Sequence, residues 1–239
     1  MVALVQTVSG TQVATNVGSI TASLTPSAGN LMIAVFTQNR GTGPVAFTGG
    51  DVTWTELINS TAALSNPDER AFMFGATATA ATAVSVDGSY TLSTGSGGRS
   101  IVFVHEVSGH SGFGSVIATG TIASSTLRSV TIVTTAASAA ILTSHHGATL
   151  EGNEPTTFTG LGSAVLGAPV VAMNNAVNTA IGVAGTYVVE WGADPGTSIA
   201  LRRILAVVIV PAATVTFNYS NLEHRVMRGA GRAVMRGVA

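Results

Sequence analysis

The chain has 239 residues and no cysteine, so it can bury a core unaided and cannot build a disulfide, a thiolate–zinc site or a cysteine nucleophile. Only 9% of its residues are charged, where an ordinary soluble domain carries about 25%. The formal net charge of −1 creates no field that would gather nucleic acid or an anionic membrane.

Met1–Gly10 has no basic region and no long apolar run, so it does not read as a secretory signal. Val2–Val8 and Ser19–Leu24 read as short strands around a Ser/Thr/Asn-rich connection. The turn Pro26-Ser27-Ala28-Gly29 then leads into Asn30–Gln38, around which the rest is organised. Leu31, Ile33 and Val35 fall on one side of that strand, and Met32, Ala34 and Phe36 on the other. A strand apolar on both faces is covered on both faces.

Val45–Thr48 and Val52–Leu57 flank Gly49-Gly50-Asp51 and read as a hairpin. Ser60–Arg70 reads as a loop and Ala71–Ala76 as a short apolar strand. Thr82–Val86 and Tyr90–Ser93 flank Asp87-Gly88; side-chain phase favours a three-residue turn, Asp87–Ser89, if the two segments pair. Ile101–Val107 is a second strong strand, and Ser115–Ile122 and Ser129–Thr135 are weaker ones. Ala139–Ser144 has buried character, and Gly147–Gly167 is polar and irregular. Val170–Met173, Ala180–Val183, Tyr187–Trp191 and Ile199–Val210 follow, with Val215–Tyr219 after Pro211. The longest apolar run, Ile204 to Ala213, is ten residues, against about 20 for a membrane-spanning helix. The expected chain is soluble and not exported.

Short strands at near-regular spacing, with Gly and Asn turns and almost no helical period, predict an all-β, jelly-roll-like antiparallel sandwich over residues 1–218. The halves echo one another: Arg99–Val104 resembles Arg203–Val208, and Asn30–Phe36 resembles Ala137–Leu142. Two related halves of one sandwich are expected. Residues 219–239 form an arginine-rich arm in which Arg225, Arg228, Arg232 and Arg236 recur at helical spacing, as candidate subunit-interface residues. All ten basic residues are arginine, the better cation for packed bidentate contacts, although a GC-rich genome would give the same bias.

Candidate chemistry is sparse. Gly109-His110-Ser111-Gly112-Phe113-Gly114 has Phe113 where a nucleophile elbow needs glycine, so a Gly-rich turn is the reading. His145 and His146 are adjacent and would point to opposite faces of a strand, which disfavours a shared metal ion. His105 and Glu106 end a strong strand; a structural ion pair with arginine is expected for the carboxylate. Trp54 and Trp191, with Tyr187, are the candidates for a carbohydrate platform, with core packing as the competing use of these aromatics. No catalytic residue, metal site or cofactor is implied.

Val5-Gln6, then Ala28-Gly29-Asn30-Leu31 with its apolar strand, then Trp54, then Glu106-Val107-Ser108-Gly109 follow one another in order. This succession resembles β-sandwich virion proteins of actinobacterial tailed phages, over about the first half of the chain. The resemblance implies a minor tail or head-decoration role and supplies no catalytic residues. Low surface charge independently suggests a surface covered by other subunits. The expectation is a non-enzymatic structural subunit of a tailed-phage virion, a minor tail protein assembled in the host cytoplasm. Its partners would be other virion subunits, with self-association into a homo-oligomer, no membrane and no nucleic acid. Capsid decoration is the near alternative, and a module that recognises a host-surface glycan the more distant one.

Overall fold

The computed structural model describes residues 1–10, 17–39, 46–48, 52–59, 69–81, 84–91, 99–118, 128–147, 156–158, 164–170, 173–179, 181–191 and 202–213. These residues are all-β, as expected. The first half supplies β1 (Ala3–Ser9), β2 (Val17–Leu24), β3 (Leu31–Asn39), β4 (Ala46–Thr48), β5 (Thr55–Asn59), β6 (Glu69–Thr77), β7 (Val84–Thr91) and β8 (Arg99–Ser108). The second supplies β9 (His110–Ala118), β10 (Arg128–Thr134), β11 (Ala140–Gly147), β12 (Thr156–Phe158), β13 (Ala164–Val170), β14 (Met173–Asn178), β15 (Gly185–Trp191) and β16 (Arg202–Pro211).

The first half forms a five-stranded sheet, β1-β8-β3-β6-β5, and a three-stranded sheet, β2-β7-β4. The second forms β9-β16-β11-β14-β13 and β10-β15-β12. Adding eight to each strand number of the first half reproduces the second. The turns before β3 and β11 agree as well: Gly29 and Ser138 both have positive φ, and their amides donate to the carbonyls of Ala78 and Ile181. The chain is therefore an internal duplication. Expected were two halves of one sandwich; each half instead has its own pair of sheets.

Three apolar layers hold these sheets together. Met32, Ala34 and Phe36 of β3 face Ala22 and Leu24 of β2, inside the first half. Ile141 of β11 and Ala206 and Val208 of β16 face Ile132, Val189 and Trp191, inside the second. The opposite faces of the two five-stranded sheets pack on each other. Leu31, Ile33, Val35, Ile101 and Phe103 there join Ala140, Leu142, Leu205, Val207 and Ile209 in one core. This seam is the reason β3 is apolar on both sides: one face fills its own half and the other joins the halves. Each fully buried Ile, Leu or Val of the seam contributes roughly 1.5–3 kcal/mol.

Across the seam β1 meets β13, β9 meets β5 and β6 meets β16. The first two contacts exchange when eight is added or subtracted, so the halves sit about a pseudo-two-fold, as in an isologous dimer. Gly75 on β6 has no Cβ because one there would overlap the Phe113 ring of β9. At the equivalent places the sizes are exchanged: Leu4 stands for Phe113 and Val177 for Gly75, by the registers of β1, β8, β9, β11, β14 and β16.

Several local expectations give way to longer-range pairing. Asp87-Gly88 is not a turn: β7 runs through it and pairs with β2 from Val17↔Thr91 to Leu24↔Val84. Eight consecutive pairs outweigh the turn preference of one dipeptide. Ala46–Thr48 and Thr55–Asn59 are not a hairpin, since β4 pairs with β7 and β5 with β6. The Gly-rich stretch after Gly109 is mostly strand β9, and the segment read as irregular contains β12 and the start of β13. Val215–Tyr219 and the arm 219–239 lie outside the described residues.

Candidate functional site

Gln6, Ser27, Asn30 and Glu106 come from β1, the turn before β3, and β8, and they meet in one cluster. Glu106 Oε1 accepts from the Ser27 backbone N–H at 2.7 Å and from Asn30 Nδ2 at 2.6 Å. Its Oε2 accepts from Gln6 Nε2 at 2.5 Å, and Gln6 Nε2 also reaches the Thr25 carbonyl at 3.0 Å. The partner expected for Glu106 was arginine; the observed partners are two side-chain amides and a backbone N–H. Glu106 is 0% exposed. Burial would raise its pKa; the Ser27 N–H, with the Gln6 and Asn30 amides, outweighs that and holds the carboxyl below its ordinary value. A carboxylate kept charged, with its lone pairs occupied by donors, is a staple rather than a proton donor.

Gly109 and Gly29 complete this corner. Gly109 has φ 69°, and a Cβ there would overlap the Met1 carbonyl oxygen, so glycine lets the N-terminal chain cross β8's end. His110 Nε2 donates to the Gly29 carbonyl at 3.0 Å, which ties β9 to the turn. Gln6, Gly29, Asn30, Glu106 and Gly109 thus all contribute to this junction. Trp54 is half-buried and packs against the core of the first half.

His105 turns the other way, into the seam. Its Nδ1 lies 3.0 Å from Thr7 Oγ1, and its ring stacks on Phe103 with centroids 6.2 Å apart. Burial lowers its pKa from 6.5 to about 3, with the neighbouring Asn175 amide opposing this only in part. No atom pair of His105 and Asn175 has full hydrogen-bond geometry, and His105 Nε2 and both amide atoms of Asn175 are buried without a partner. Ser144 Oγ is in the same position. Ser144 closes the segment of buried character, and Asn175 is one of three asparagines in β14; neither is a candidate by sequence motif.

Trp191 is corrected. It is 0% exposed, inside the second half, with Nε1 donating to Thr143 Oγ1 at 3.3 Å and the ring stacked on His145 at 5.5 Å. It offers no face to a sugar. His145 and His146 both lie on β11, and the His145 ring is packed in the core. Arg225, Arg228, Arg232 and Arg236 lie outside the described residues. Among the described residues no three His, Asp or Glu side chains group closely enough to hold a metal ion.

Comparison with protein-family models, with curated proteins and with solved structures found no match.

Proposed function

We propose that the chain is a structural subunit of a tailed-bacteriophage virion, a minor tail protein acting through subunit–subunit contacts. The observation that carries the reading is the Glu106 cluster. The residues behind the phage resemblance are spent on fastening β1, β8, β9 and a turn together, which is the use a structural protein has for them. The low charge of the chain and its continuous three-layer core support the same reading. We read each half as a jelly roll, supported by eight strands in two sheets. The arm, with Arg225, Arg228, Arg232 and Arg236, would dock on a neighbouring subunit.

Mass spectrometry of purified particles from a lysed host carrying the gene tests this. The chain should be present at fixed copy number; its absence from intact particles would overturn the reading. Truncation after Tyr219 should impair assembly if the arm is an interface. Capsid decoration is separated by fractionating heads from tails. With Trp191 and Tyr187 buried, the glycan reading keeps Trp54 of its three aromatics, and a glycan array with Trp54→Ala would test it.

A further inference from the structure

We infer that His105, Ser144 and Asn175 form a hydration site that holds ordered water in the seam between the two halves. His105 on β8 shares a face with Ile101, Phe103 and Val107; Ser144 on β11 with Ala140 and Leu142; Asn175 on β14 with Val177. All three faces point into the seam, and the three residues are 0%, 1% and 0% exposed. Ser144 and Asn175 are directly opposite in the β11–β14 register, and Asn175 lies beside His105 across the seam. Four polar atoms there are buried without a partner: His105 Nε2, Ser144 Oγ, and Oδ1 and Nδ2 of Asn175.

The duplication supplies an internal control. Register places Val35 where Ser144 stands, Met73 where Asn175 stands and Val207 where His105 stands. All three counterparts are apolar and fully buried. The seam can therefore be closed without polar groups, and on one side of the pseudo-two-fold it has acquired three of them together. Buried polar atoms in native structures almost always have a partner, so four at one place call for a ligand. The ligand must offer both donors and acceptors, because Nδ2 donates, Oδ1 accepts and a hydroxyl does either. It is taken as uncharged: among the described residues, the strand neighbours of His105, Thr7 on β1 and Ile33 on β3, carry no charge. Water meets these terms, and a buried water with about three partners is an ordinary structural component.

Two measurements test the site. A high-resolution crystal structure of the whole chain should show density within about 2.7–3.2 Å of His105 Nε2 and of at least one of Ser144 and Asn175. A direct Ser144–Asn175–His105 chain with no density between its members would overturn the inference, and this measurement needs no variant. Water oxygen-17 relaxation dispersion counts long-lived internal waters. The triple variant H105V/S144V/N175M, which copies the counterpart residues, should lose at least one relative to wild type. An unchanged count in a folded variant would also overturn it.

Discussion

Lowering the pH from 7 to 5 should weaken the folded chain by about 2 kcal/mol through His105 alone. The imidazole titrates at about 3 when folded and near its ordinary 6.5 when unfolded. A folded pKa below the unfolded one means that the unfolded chain binds the proton first. The stability is therefore whole above pH 6.5 and is lost as pH falls from 6.5 towards 3. A gap of about 3.5 pH units, at about 1.4 kcal/mol each, caps the loss at about 5 kcal/mol. Among the described residues, the neighbours of the ring, Thr7, Ile33 and Asn175, include no counter-ion for an imidazolium. Glu106 points to the opposite face, and its titration, below 4.5, falls outside the pH 5–7 window. The assay is urea unfolding at pH 7 and pH 5 for wild type and His105→Val. Wild type should lose about 2 kcal/mol more than the variant between the two pH values. Equal losses in the two proteins would refute the argument.

Glu106→Gln places an NH₂ group among three N–H donors and should cost about 1–3 kcal/mol in the same assay at pH 7. Because the Glu106 pKa is lowered by folding, its contribution is present above pH 4.5 and fades below it, and the variant should be less sensitive in that range. Gly109→Ala should destabilise more than Gly29→Ala: both strain a positive φ, but only at Gly109 would the new Cβ overlap backbone, that of Met1. Thermal denaturation of the two variants, with a larger fall for Gly109→Ala, checks the ranking. Trp191→Ala should cost about 3–5 kcal/mol as a core truncation and leave any glycan-array signal unchanged.

The strands legible in the sequence are those whose apolar residues leave one arrangement open. Asn30–Phe36 and Ile101–Val107 are apolar on both faces, and they became β3 and β8 at the centre of the first large sheet. The errors fall where local chemistry and distant pairing conflict. Asp87-Gly88 has the composition of a turn, yet β2 supplies a partner for all eight residues of β7. The duplication left a faint trace, displaced by two residues: the echo sets Ile101 against Leu205, while the sheets set Phe103 there. The two-residue slip keeps the faces, which is why the halves looked related although their alignment was wrong. The Glu106 cluster was hidden because Gln6, Asn30 and Glu106 are far apart in the chain, and only the β1–β8–β3 pairing brings them together. Trp191 was misjudged because an aromatic residue at a strand end is compatible with either surface or core, and only the covering sheet decides.

The proposal that this two-halved chain lives among virion neighbours is tested most directly by electron cryo-microscopy of intact particles. Density for the two back-to-back five-stranded sheets, with outer faces or arm contacting adjacent subunits, is the expected result. Particles complete without that density, from a host expressing the chain, would contradict it.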